Sequence, residues 1–463
     1  MNHDNLKEQL FNKPANQIED LDDYEIKEAD VFTEGYKSFL NESKTERESI
    51  KNILNKAKSL GFSEFDDKKK YEPGDKIYYL NKEKMLILSV IGKNGTKDGI
   101  LLSIAHIDSP RIDLKPNPLY ESKKLAYFDT HYYGGIRKYQ WLTIPLSLHG
   151  RIIKKDGEIL DVCIGEDDND TKFCITDLLP HLASEQSEKT IKKAFLGENL
   201  NVLIGSRPLK GDDKSELVKL NILKILNEKY GIIENDFASA ELELVPAFKA
   251  TDIGFDRSLI GAYGQDDRVC AYPLAEAIFN CNIPYKTVVA TFCDKEETGS
   301  NGTTGMKSEI LKYFMSELAS IDDEKPWKVI SKSKCLSADV SAAFDPMYSD
   351  VFEERNSYYF NKGVAICKYT GSGGKYGTSD ASAEFVGEIR KLLDDNKITW
   401  QIGELGKVDG GGGGTIAMYM ANMNIDVIDI GVPVMSMHSP FEITSKLDIF
   451  MLFKAIKSFF ESN

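Results

Sequence analysis

Two neighbouring glutamates, Glu296 and Glu297, come just after the apolar run Thr287-Val288-Val289-Ala290-Thr291-Phe292 and lead into the turn-forming stretch Thr298-Gly299-Ser300-Asn301-Gly302. Adjacent carboxylates repel unless a cation holds them, and a lone pair of this kind is ordinarily a solvated loop. Here other reactive side chains stand at the ends of apolar runs in the same way. His106 and Asp108 follow 99–105, Asp339 follows Leu336-Ser337-Ala338, and His438 lies beyond the run that begins at 425. The chain has six histidines, and two of them, His106 and His438, occupy such ends. Metal-assisted hydrolysis is the chemistry that needs histidine and carboxylate from several strands. Two zinc ions about 3.5–4 Å apart share one carboxylate, and each keeps imidazole and carboxylate ligands of its own. One of the paired glutamates can then bind metal while its neighbour takes a proton from the attacking water.

These residues need strands to carry them to one place. Residues 84–92, 99–105, 286–293, 363–368 and 425–431 are short continuous apolar runs, the pattern of strands buried on both faces. The runs 84–92 and 99–105 flank Asn94-Gly95 and read as a strand pair. Helical spacing is predicted over 36–60, 269–280, 379–393 behind a Ser379-Asp380 cap, and a terminal stretch carrying Leu447, Phe450, Phe453, Ile456 and Phe460. Alternation of the two predicts an α/β fold with a largely parallel sheet, and the carboxyl ends of such strands form the ligand crevice. Residues 117–247 break the rhythm with short alternating segments and the hairpin signal Lys155-Asp156-Gly157-Glu158. A β-rich domain inserted over 117–247 is therefore expected, within a catalytic domain formed by 1–116 and 248–463.

Composition excludes several classes. With 463 residues the chain is long enough for two domains, and a net charge of −15 with interspersed lysines argues against nucleic acid or an anionic membrane as partner. The residues from Met1 have no apolar signal core, and no run approaches the roughly 20 apolar residues of a membrane span, so a cytoplasmic location is expected. Seven cysteines without a C-x-x-C pair indicate neither a disulfide framework nor a thiolate zinc site. Gly410 to Gly414 lack the lysine and spacing of a phosphate loop and suggest close backbone approach near a substrate.

The stretches Ala105-His106-Ile107-Asp108-Ser109-Pro110, Gln265-Asp266-Asp267-Arg268, Asp294 to Ser300, Ser337-Ala338-Asp339 and Met437-His438-Ser439, in this order, resemble the aspartyl aminopeptidase family of dinuclear zinc exopeptidases. The resemblance implies two Zn2+ per subunit, with Co2+ or Mn2+ as substitutes. His106, Asp266 and Asp339 would hold one ion and Asp266, Glu297 and His438 the other, Asp266 bridging. Glu296 would be the general acid/base, with Asp108 orienting the His106 ring. The inserted domain would be an assembly domain, with dimers building a tetrahedral dodecamer, and His181 would match a histidine that reaches a neighbouring subunit's site. Lys368, at the end of an apolar run, would match a lysine that selects an acidic first residue in peptide substrates. The chain departs from many members at Val340-Ser341-Ala342-Ala343, where they carry a histidine, and at 141–146, where they carry an Asp-Arg pair.

Other readings stand beside this one. Asp267 could cap the helix that begins near Val269, His181 could be an ordinary domain histidine, and Lys368 a solvated loop lysine. A zinc amidohydrolase acting on N-acyl amino acids is the enzymatic alternative; it must bind a free carboxylate, usually with Arg, where an aminopeptidase must bind a free ammonium. A non-catalytic assembly subunit is disfavoured by the presence of Glu296 together with the five ligand positions.

Overall fold

Four of the apolar runs, Val288–Cys293, Leu101–His106, Lys334–Ala338 and Asp426–Gly431, lie side by side and parallel at the centre of a nine-stranded sheet. The protein is seen here in a computed structural model that describes residues 3–11, 21–211 and 215–462. Successive residues of each central strand face opposite sides of the sheet. Leu101, Ala290, Leu336 and Ile428 pack against the helices Asp23–Glu42, Glu46–Ser59, Gln265–Phe279, Ala383–Asp395 and Lys446–Phe460. Leu102, Val289, Cys335 and Val427 pack against Ile310–Ile321, Pro326–Lys332 and Ala417–Ala421. Coverage of both faces is why these strands carry no polar alternation. The sheet is mixed: Val364–Cys367 runs antiparallel to Asp426–Gly431, and Met85–Val90 antiparallel to Val288–Cys293.

Three local expectations change. The helix expected over 36–60 is two helices, because Thr45 and Glu48 form a reciprocal capping box that starts a new helix at Glu46. The runs at 84–92 and 99–105 are not partners, since Val288–Cys293 lies between them. The cap of Ala383–Asp395 is Ser382, whose hydroxyl accepts from the Phe385 amide at 3.2 Å, in place of Ser379-Asp380.

A second sheet has seven antiparallel strands, the outermost in sequence being Arg111–Ser122 and Ala240–Pro246. It includes the hairpin Leu146–Ile153 with Ile159–Ile164 and has its own core around Ile112, Phe128, Trp141 and Leu244. Its first strand begins at Arg111. The boundary expected at 117 falls inside that strand, where Pro116 and Pro118 lie at a register shift between Leu114 and Leu119. A third, five-stranded sheet includes Leu259–Ala262, Pro433–Met435 and Glu442–Ser445. It ties the entry of the helix Gln265–Phe279 to the loop that carries His438.

Candidate metal centre

The central strands end together at one edge of the first sheet. Leu101–His106 terminates in His106, and the register Cys293↔His106 sets Asp294 to Glu297 beside it. Lys334–Ala338 delivers Asp339 on the other side. The third sheet brings in the remaining two groups, Asp266 and His438.

Asp266 lies between the two imidazoles. Its Oδ1 is 3.1 Å from His106 Nε2, and its Oδ2 is 3.1 Å from His438 Nε2. Asp339 Oδ1 is 3.9 Å from His106 Nε2, and Glu297 Oε1 is 3.6 Å from His438 Nε2. Glu296 Oε2 stands 4.0 Å from His106 Nε2. Each ring is oriented from behind. His106 Nδ1 donates to the Asp108 carbonyl at 3.0 Å with the Asp108 carboxylate 3.3 Å away, and His438 Nδ1 donates to the Gly135 carbonyl at 2.9 Å. Partners of this kind fix the tautomer and leave Nε2 free for a metal. Asp108 also accepts from the Tyr133 hydroxyl at 2.7 Å and from the amides of Glu296 and Glu297 at 3.1 and 3.3 Å.

The electrostatics show what this edge lacks. Burial, then the charge of Asp266, pushes the Glu297 carboxyl well up; burial also raises Glu296, Asp267 and Asp339. Burial alone would lower the imidazole of His438, yet Asp266 and Glu297 hold it up at about 10. Both oxygens of Asp267 and Oε1 of Glu297 are buried without a hydrogen-bond partner. So many acids in low dielectric cannot all ionise unless cations join them, and the imidazole and carboxylate donors are those zinc prefers. Ligand atoms of Asp266, Glu297 and His438 all lie within 4.8 Å of one another, as do those of His106, Asp267 and Asp339. The residues fit a metal centre.

A cavity of about 510 Å³ opens on this edge. Asp266, Glu296, Glu297, Asp339 and His438 line one side; Leu405, Gly412 to Thr415, Met418 and Tyr419 line another. At Gly412 (φ +123°) a Cβ would stand 2.2 Å from the Gly371 carbonyl, so the glycine run does let two backbones approach closely.

The model of the aminopeptidase I zinc metalloprotease family, M18, matches residues 39–460. The chain belongs to that family. A probable M18 family aminopeptidase 1 of Clostridium acetobutylicum is 49% identical over 449 residues, covering 95% of this chain and 97% of that one. The crystal structure of an M18 aminopeptidase from Thermotoga maritima superposes with a TM-score of 0.93 at 43% identity, covering 98% and 100% of the two chains. The S. cerevisiae mApe1 dodecamer shares the fold at 21% identity, with a TM-score of 0.76 over 94% and 97%.

Within this M18 aminopeptidase, the five positions His106, Asp266, Glu297, Asp339 and His438, with Glu296 and Asp108, converge on one edge. Lys368 does not. It follows Val364–Cys367, and because that strand runs antiparallel to Asp426–Gly431 its carboxyl end heads away from the edge that carries the histidines. Cys367 and Thr370 line the cavity; Lys368 between them is half-buried outside the lining. His181 sits in the exposed turn Pro180–Leu182 of the second sheet's domain, outside the cavity of its own chain. Asp267 stands at a break before the regular helix, after a cis Asp266–Asp267 peptide, but its carboxylate accepts from no amide of the helix's first turn and so does not cap it.

Two contributors escape a sequence reading. Glu442, on the third sheet, accepts from the amides of Gln265 (2.6 Å) and Asp266 (3.2 Å) with one oxygen and from the His438 amide (2.8 Å) with the other, and burial pushes its carboxyl up to about 8. An acid between Phe441 and Ile443 in a strand is the one signal available. Tyr133 is the other, and only its hydrogen bond to Asp108 reveals it.

Proposed function

We propose that this M18 aminopeptidase removes the N-terminal residue of peptides with Glu296 as general acid/base beside a pair of zinc ions. The observation that carries the reading is the placement of Asp266 between His106 and His438, with Asp339 near the Nε2 of the first ring and Glu297 near that of the second. His106, Asp266 and Asp339 would hold one ion and Asp266, Glu297 and His438 the other; Co2+ and Mn2+ suit the same imidazole and carboxylate donors. Bound zinc supplies Lewis acidity toward the peptide carbonyl and the attacking water. Glu296 faces the cavity without an imidazole of its own, placed to take the proton of the attacking water and return it to the leaving amine. Asp108 keeps Glu296 and Glu297 in place through their amides. Glu442 holds Asp266 and His438 in register with each other.

Among the described residues the cavity lining contains carboxylates and no lysine or arginine. Such a wall suits the free ammonium of a peptide and gives the carboxylate of an N-acyl amino acid no partner, which favours the aminopeptidase over the deacylase. It also leaves an N-terminal Asp or Glu without the cation that selection through Lys368 requires. For assembly, the solved mApe1 dodecamer supports a homo-oligomer for this chain, and a dodecamer of dimers is our reading. His181, flanked by the exposed Leu178, Leu179 and Leu182, would then be offered to a neighbouring subunit. All seven cysteines are free, and we place the enzyme in the cytoplasm. No helix among the described residues is long and apolar enough to cross a membrane.

One experiment joins these points: metal analysis of the purified protein together with N-terminal release from a panel of peptides and N-acyl amino acids. Two zinc per chain with release from free peptides only is the expected result. Activity confined to N-acyl substrates would overturn the reading.

A further inference from the structure

Beyond the metal edge, the cavity floor holds an acid that the reaction does not use. Asp429 lies in Asp426–Gly431, lines the cavity and is 3% exposed. Its Oδ1 accepts no hydrogen bond of good geometry. The hydroxyls of Ser337 and Thr415 stand beside the carboxyl and pull it down, against the burial that pushes it up to about 7. Ser337 is its register partner on the neighbouring strand, and Thr415 precedes the helix Ala417–Ala421. On this face the two strands are apolar further down, through Cys335 and Val427, and turn polar at Ser337 and Asp429, the latter in the cavity lining. A buried acid with an unpartnered oxygen costs stability unless something that enters the site satisfies it.

Depth and lining narrow what could enter. The register aligns Ser337 with Asp429, which sets Asp339 level with Gly431. Asp429 is thus two residues down the strand from the metal edge, about 7 Å at the usual strand rise. Leu405, Met418, Tyr419 and Ile430 give the cavity apolar wall, and among the described residues no lysine or arginine lines it. A first residue held at the metal edge would need a side chain with an apolar stem and a hydrogen-bond-donating end to reach Asp429. The aliphatic stems of lysine and arginine, each ending in a cation, have that form.

We propose that Asp429 is a specificity-determining residue, and that the cavity takes peptides whose first residue is lysine or arginine in preference to acidic ones. The proposal rests on the aminopeptidase reading, and the test separates the two. Turnover of otherwise identical peptides beginning with Lys, Arg, Leu and Glu is measured on the zinc-loaded enzyme as kcat/KM. Lys and Arg peptides are expected to exceed Glu peptides by at least about a hundredfold and Leu peptides by roughly tenfold, the difference a charged hydrogen bond in a dry site makes. Asp429→Asn should lower the Lys-to-Leu ratio by roughly tenfold with Leu turnover and zinc content kept. Thr415→Val, which leaves the carboxylate in place, should preserve the Lys preference and serves as the folding control. A wild-type enzyme that favours Leu or Glu over Lys and Arg, or an Asp429→Asn enzyme with an unchanged ratio, would refute the assignment while leaving the aminopeptidase standing. Release of no first residue from any peptide would overturn both.

Discussion

The metal edge and the junction between the two large sheets both gather buried acids, and they treat them in opposite ways. At the junction every acid has a cation built into the fold. Glu46, 1% exposed, meets Lys84 at 2.9 Å and Arg111 at 3.2 Å; Arg111 in turn meets Asp113 at 2.8 Å and Glu243 at 3.2 Å. His149 lies between Glu48 at 2.7 Å and Glu166 at 3.0 Å, and Lys44 reaches Glu166 at 3.0 Å. Burial alone would raise the Glu46 carboxyl, but Arg111 and Lys84 hold it well below its usual range. At the metal edge Glu297 and Asp339 have no lysine or arginine, and burial pushes both up. The same residue types thus make a structural joint in one place and a set of candidate metal ligands in the other. What separates them is whether the chain supplies the positive charge itself.

The largest effect should come from the glutamate that has neither task. Glu296→Gln is expected to lower kcat by about two to four orders of magnitude while two metals stay bound, as removal of a general acid/base does. Near-normal turnover of the metal-replete variant would remove Glu296 from the reaction. Next comes a pair of substitutions that pits the regions against each other. Arg111→Met leaves Glu243 buried without its cation and Glu46 with Lys84 alone, and should cost about 3–5 kcal/mol in denaturant unfolding. Asp339→Asn in the metal-free protein should cost nothing or raise Tm, because it removes a charge that burial disfavours, although it weakens zinc binding. If the metal-free Asp339→Asn protein were destabilised as much as Arg111→Met, the contrast between the regions would fail.

Acid titration gives a smaller, graded effect. The Glu166 carboxyl is raised by burial but lowered more by His149, Lys44 and Ser147, which together hold it at about 2 against an ordinary 4.5. A lowered folded value means that its contribution is complete above pH 4.5 and is lost as pH falls toward 2. Glu166→Gln should therefore flatten the fall of Tm over that range; an acid limb of unchanged slope would show that the carboxylate adds nothing to the joint. The smallest expected change is in the isolated subunit's fold on His181→Ala. That variant should melt as wild type does, and any loss of activity should appear only in the assembled form, read by light scattering beside turnover.

How much of this was legible in the chain varies with the kind of signal. The central strands were, because strands covered on both faces must be apolar throughout. His106, Glu296, Glu297 and Asp339 stood out for a related reason, since polar residues close after such runs are conspicuous; Asp266 was singled out only by the family resemblance. Partners in the sheet were not legible. The pairing inferred across Asn94-Gly95 failed because a strand nearly two hundred positions later in the chain, Val288–Cys293, takes the intervening place, and no local pattern reports that. Lys368 lies outside the cavity lining for the same class of reason: strand direction is set by the neighbours it pairs with, and an antiparallel strand carries its end away from this edge.

Residue type and order alone determined which groups could do chemistry here: two histidines, a glutamate pair and two aspartates at or near the ends of buried runs, in a net acidic chain whose charge argues against nucleic acid. Hydrophobic burial dictates those runs, and burial leaves a pattern in one dimension. Tertiary structure alone decided which acids are left without cations and which are neutralised, that Glu442 and Tyr133 brace the site, and that Asp429 floors the cavity where Lys368 was expected. Those outcomes depend on distances of a few ångströms between residues far apart in the chain. Electrostatic interaction and desolvation are set by such distances, and a sequence does not contain them.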